Sequence, residues 1–286
     1  MDSQSPRYDF DASAAAHDAS VTPIFLAPAH LPPLTHQPTQ TLTTMKKSLF
    51  TLALAAASFC AAAQTTTSAT AKAAATGLPT AAPAGYAELL GATITGIMRT
   101  GDPAELKALA AKMERAATVA PADWLPRYYQ AYALVINVFQ SKEAGDVKDK
   151  ALDQAEAALT QARQLHGDES ELLTLQAFLY QARLGINPQQ RAQAYAVKVM
   201  ETVAQAQALN PANPRPYLVE ANNIYYTPEM FGGGPAAAKP LYEAAKAKFA
   251  AFHAMSPLAP GWGETQLQGR LKQYEATAAA TPAPAK

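Results

Sequence analysis

Four helix-breaking pairs, Ala120-Pro121, His166-Gly167, Asn210-Pro211 and Ser256-Pro257, fall 46, 44 and 46 residues apart, and this period constrains the fold more than any other feature. Twelve residues before the second member of each pair stand Leu109, Ala155, Val199 and Ala245; eight before, Met113, Leu159, Val203 and Phe249; five before, Ala116, Ala162, Ala206 and Phe252. Apolar residues at offsets of four and three form one face of a helix, so each repeat ends in a helix with the same packed face. Ten residues beyond the first three breakers come Ala131, Ala177 and Ala221, with Gly91 in the matching place earlier, and three further on Leu134, Tyr180 and Ile224, matched by Ile94. A small residue at a fixed point of each first helix lets its partner approach to about 8 Å.

The periodicity predicts helices over 84–99, 103–119, 123–140, 146–165, 169–184, 188–209, 214–226, 235–254 and 262–275, with no alternating strand pattern. The expected fold is all-α, with a helical repeat domain at 84–276 of about four antiparallel pairs plus a terminal helix. A non-repetitive bundle with chance periodicity is the alternative.

The residues outside this domain read differently. Residues 1–44 lack periodicity and are expected to be disordered, an upstream extension preceding the true start at Met45. Lys46-Lys47, the apolar run 48–59 and Ala61-Ala62-Ala63 have the charge, length and small-residue ending of a signal peptide over 45–63. A genuine extension with a hydrophobic insertion is the competing reading. Cys60 raises lipidation, but Phe59 before it is too bulky for a lipoprotein cleavage site. Residues 64–83 and 277–286, rich in Thr, Ala and Pro, are expected to be a flexible linker and a disordered tail. The chain from Gln64 onward carries 20 basic and 19 acidic residues and no Cys. Near-neutral charge gives no reason to expect nucleic acid, and the missing thiols exclude disulfides and suit an oxidising envelope. Export to the periplasm, or secretion, without stable membrane insertion is expected.

Catalytic signals are weak. His166 and His253 are the two imidazoles after Gln64, set far apart, and no HExxH, GxSxG, phosphate loop or dinucleotide fingerprint occurs. No enzyme, cofactor or metal is expected; a hydrolase would need carboxylates assembled from distant helices. The most individual segment is Asn222 to Pro235, with Thr227-Pro228, Glu229, Met230, Phe231 and three glycines, Gly232, Gly233 and Gly234, feeding a helix that carries Lys239. Such a turn can gather backbone N–H groups into an anion nest, or simply be an elongated turn with Met230 and Phe231 tucked against the array.

On these residues the chain resembles the tetratricopeptide repeat family. Leu90-Gly91 fits the Leu-Gly pair of a first helix, Ala155 and Ala162 the two alanines of a second, and Ala245, Phe249 and Pro257 the end of the pattern. The period of about 45 is longer than the usual 34, and Gln130, Gln176 and Glu220 stand where the family prefers Leu. The resemblance implies a right-handed α-solenoid whose groove, lined by first helices, takes up peptides. It places Tyr128, Tyr132, Thr174, Phe178, Gln181, Arg215, Asn222 and Tyr225 on that surface, although any of the tyrosines can equally be a core residue. The expected function is a monomeric, non-catalytic scaffold for protein segments. The alternative is a small-molecule-binding accessory of an envelope transport system, with the Tyr225–Gly234 segment closing a pocket.

Overall fold

The computed structural model describes residues 82–280; the proposed extension 1–44, signal peptide 45–63, nearly all of the linker and the end of the tail lie outside them. The described chain is all-α: α1 Tyr86–Arg99, α2 Pro103–Val119, α3 Leu125–Gln140, α4 Gly145–Gln164, α5 Glu169–Ile186, α6 Pro188–Leu209, α7 Arg215–Tyr226, a 3-10 turn Glu229–Phe231, α8 Pro235–Ala251 and α9 Glu264–Ala280. Local chemistry explains the starts. Asp102 and Asp168 accept the backbone N–H of Glu105 and Glu171 at 2.9 and 3.0 Å, satisfying donors that a helix start leaves open. Pro103, Pro188 and Pro235 begin α2, α6 and α8, where a missing N–H costs nothing.

Every helix packs on the next, and α1, α3, α5 and α7 also pack in turn on one another. Ala131, Ala177 and Ala221 are fully buried at these contacts. The predicted inward faces of the second helices are buried too, except that Ala116, Phe249 and Phe252 are only half-buried. Polar pairs fill the positions where the repeat family prefers Leu. Gln176 donates to Glu156 Oε1 at 3.3 Å, Gln207 donates to Glu220 at 2.8 Å, and Arg127 donates to Gln130 at 2.9 Å.

The structure departs from the sequence expectation at the C-terminal end. α8 stops at Ala251, three residues early, because Phe252 turns to extended backbone and lays its ring under the Arg215 guanidinium, 4.8 Å from centroid to carbon. α9 starts at Glu264 because Gly263 has φ 107°, a conformation outside the helical region and open to glycine. It continues to Ala280, into residues expected to be tail. Residues 252–263 between them form a strap without regular secondary structure, with a turn at 256–259, and the strap determines which surfaces are free.

Candidate functional site

Two aromatic groups stand out. The first forms where the strap crosses α3 and α5. Trp262 lies between Tyr132 of α3 and Phe178 of α5, its ring centroid 5.2 and 5.4 Å from theirs and the planes within 26° and 15°. Its indole N–H donates to Tyr128 Oη at 2.7 Å, and Tyr128 donates to Glu171 at 3.1 Å. Tyr129 Oη donates to the carbonyls of Leu258 and Ala259 at 3.1 and 3.0 Å, and the Leu258 side chain packs where Gly91 leaves room on α1.

Beneath lies a buried ion pair. Arg215, 1% exposed, sits 3.4 Å from Glu171 of α5, and Asn213 accepts from Arg215 and donates to Ser170 of the same helix. Burial pushes the Glu171 carboxyl up to about 7, against the opposing pull of Arg215. Arg215 Nε has no hydrogen-bond partner, and the face of the guanidinium is instead covered by Phe252.

The structure therefore brings Tyr128, Tyr132, Phe178 and Arg215 together as expected, but covers them with the chain's own strap. Of three other expected groove residues, Thr174 bonds within its own helix, and Gln181 and Asn222 tie one helix to another. Thr174 is buried and donates to the Ser170 carbonyl, Gln181 donates to the Val219 carbonyl at 2.6 Å across α5 and α7, and Asn222 accepts from Tyr242 at 2.7 Å. A cavity of about 90 Å³ beside Tyr132, Ile136 and Trp262 has room for water, far less than the roughly 300 Å³ or more of small-molecule pockets.

The second group surrounds the α7–α8 turn. Tyr225, Tyr226, Tyr242 and Tyr274 meet edge to face or tilted, with centroids 4.9 to 6.3 Å apart. Arg270 of α9 lies among them, its guanidinium carbon 4.0 Å from the Tyr225 centroid and its Nη2 donating to Tyr226 Oη at 2.8 Å. Lys239 stands 6.0 Å over the Tyr274 ring, and Tyr274 donates to the Pro235 carbonyl.

The turn itself corrects the anion-nest reading. Gly232 N–H donates to the Glu229 carbonyl, Gly233 N–H to Pro228 and Gly234 N–H to Ile224, at 2.9, 3.2 and 2.9 Å, so the glycine amides are used within the loop. Gly232 and Gly234 have φ of 81° and 94°, and Gly233 has Thr227 backbone where a Cβ would stand. Glu229 packs alongside Gly234. The glycines thus close the loop and do not collect a ligand. Nor are Met230 and Phe231 tucked in: they are 83% and 72% exposed, beside Tyr226 at 45%.

Sequence reasoning missed Trp262, Glu171, Arg270 and Tyr274. Trp262 carried one signal, as one of two tryptophans in the chain, flanked by Gly261 and Gly263. Among the described residues no cluster of three or more His, Cys, Asp or Glu could hold a metal ion, and no helix is long and apolar enough to cross a membrane.

No known family profile matches the chain, and no curated protein matches it. Among solved structures it is similar to the HusA haemophore from Porphyromonas gingivalis, with a TM-score of 0.61 and 34% sequence identity. The match covers 71% of this chain and 100% of the haemophore.

Proposed function

The chain belongs to the family of the HusA haemophore, and from that premise we propose that it is a non-catalytic binding protein whose ligand is haem, carried as cargo outside the cytoplasm. The observation that supports this best is the solvent-facing group on the α7–α8 turn. Tyr226 at the end of α7 and Met230 and Phe231 on the loop after it offer apolar and aromatic surface to water, and Arg270 lies against Tyr225 and Tyr226. Exposed apolar surface of this kind marks a binding face. A tetrapyrrole is flat and apolar with an anionic edge, and rings plus a nearby cation match both parts.

Titrating haemin into the protein and following the Soret band and tyrosine–tryptophan fluorescence tests the reading. Saturable binding at one haem per chain is expected. An unchanged Soret band at protein concentrations of tens of micromolar would remove it.

The tetratricopeptide-like solenoid is retained as part of this proposal, supported by the packing of α1, α3, α5 and α7 along one another. So is export of a monomeric protein to the periplasm or the medium by the segment at 45–63. A second reading, capture of a protein segment by the first helices, is favoured by one observation: that surface already accepts a segment without regular secondary structure, the strap. It requires displacement of Trp262, so a synthetic peptide spanning 252–263 should bind a Trp262→Ala variant and not the parent protein.

A further inference from the structure

We propose that the strap, residues 252–263, is a latch that lifts as one unit while the helices stay folded, and that the buried Glu171–Arg215 pair couples its two ends. The latch is independent of the haem reading, since it closes the face of α3 and α5 and not the α7–α8 turn. Lifting uncovers the rings of Tyr132 and Phe178, against which Trp262 stacks when closed.

The strap is held at its ends and free between them. Its first residue, Phe252, lies against the Arg215 guanidinium at 4.8 Å, and near its last Trp262 donates to Tyr128 Oη at 2.7 Å. His253 to Pro257 are exposed, Met255 almost completely. Both anchors reach the same carboxylate: Tyr128 donates to Glu171 Oε2 at 3.1 Å, and Arg215 Nη1 lies 3.4 Å from Glu171 Oε1. Phe252, Arg215, Glu171, Tyr128 and Trp262 thus form one line of contacts from end to end, through which a disturbance at one anchor reaches the other.

The segment also has the parts that local opening needs. Pro257 and Pro260 bracket Leu258 and Ala259 and stiffen the stretch whose carbonyls accept from Tyr129. Gly261 and Gly263 flank Trp262 and give the backbone freedom to turn there. α9 keeps its own seat on α7 and α8 through Leu267 and Leu271, so the strap can lift without it. The cavity of about 90 Å³ borders Trp262, so the indole is not packed on every side. Arg215 Nε has no partner in the closed state, a cost that water relieves once Phe252 lifts.

The pair gives the latch a direction in pH. Glu171 is faced by Tyr128 and Tyr129 of α3, by Arg215 of α7 and Asn213 before it, and by Asp168 at the start of its own helix; Phe252 and Trp262 of the strap add no charge. Burial raises the Glu171 carboxyl to about 7 against the pull of Arg215, with Asp168 adding a like charge. Burial also raises both tyrosines, which stay neutral, and the guanidinium stays charged, so Glu171 is the group that titrates. The closed state holds that proton more tightly than an open, hydrated one. Closure is therefore firmest in acid and weakens as pH rises through 7.

Hydrogen exchange of the Trp262 indole and of backbone amides in the full chain, followed by NMR and corrected for intrinsic rates, tests the latch. The indole should exchange through an opening at least about tenfold more populated than the one that frees the amides of Ala131, Ala177 and Ala221. Its opening constant should rise about tenfold between pH 6 and pH 8, and Glu171→Gln should remove the rise. Phe252→Ala, at a half-buried site without contact to the indole, should raise Trp262 opening about tenfold and leave the core amides unchanged. Exchange of Trp262 in step with the α3 and α5 amides would mean that the strap leaves only with global unfolding, and overturns the latch. Unchanged Trp262 protection in Phe252→Ala, or a pH rise that persists in Glu171→Gln, overturns the coupling of the two ends through the pair.

Discussion

The two aromatic groups are built from similar side chains and differ in what is left over. Around Trp262 both ring faces are stacked, the indole N–H is bonded and Tyr128 is paired with Glu171, so the group is consumed in holding the strap. Around Arg270 the tyrosines pack on one another yet leave Tyr226, Met230 and Phe231 facing water. Residue type does not separate structure from function in this chain; burial by the strap does. Aromatic residues of the first helices would be expected to form the binding surface, but the chain covers them itself, and the free surface lies at the α7–α8 turn.

Emptying the slot around Trp262 should be the most damaging change. Trp262→Ala removes a buried indole from between two rings and should cost about 3–5 kcal/mol, read by urea unfolding. A loss below about 1 kcal/mol would mean the strap is only loosely seated and the slot is available. Glu171→Ala comes next, because it leaves Arg215 buried without its counter-charge, and a destabilisation of about 3 kcal/mol is expected from the same measurement.

The pair also has a pH signature with a definite sign. Glu171 holds its proton more tightly when folded, near 7 against 4.5 for an ordinary Glu, so the folded state binds more protons between those values. Its contribution to stability is therefore full below about pH 4.5 and is lost as pH rises through 7. Glu171→Gln should flatten that part of the stability profile, and an unchanged slope would place the titration elsewhere.

Smaller effects are expected at the second group. Gly233→Ala forces a methyl against the Thr227 backbone and should cost about 1–3 kcal/mol, with loss of the exposed loop's geometry and of haem binding. Met230→Ala and Phe231→Ala should change stability by no more than about 0.5 kcal/mol, since both side chains face solvent. Together they should nonetheless weaken haemin binding about tenfold, an effect on affinity without one on folding.

Much of the fold was legible in the sequence because its signals are local. The breakers at 121, 167 and 211 act within a few residues, and helix boundaries from α1 to α7 fall within two residues of expectation. The alanines at 131, 177 and 221 were readable for the same reason. The strap was not, because its contacts span the chain: Tyr129 bonds residues about 130 positions away, and nothing near Leu258 or Trp262 encodes that partner. The Gly232–Gly234 turn was recognisable as unusual, but whether its amides point to a ligand or to the loop's own carbonyls depends on how the loop closes. Arg270 was hidden among ordinary solvent-facing residues of α9 and acquires meaning only from where α9 docks.

The free aromatic surface at the α7–α8 turn, and not the strap-covered face of the first helices, is proposed to receive the tetrapyrrole. Amide and side-chain NMR of the labelled protein titrated with diamagnetic gallium protoporphyrin IX tests it most directly. Shifts centred on residues 224–234, Arg270 and Tyr274, with the Trp262 indole signal unmoved, are predicted; shifts centred on Trp262, Tyr132 and Phe178, with the turn unmoved, would contradict it.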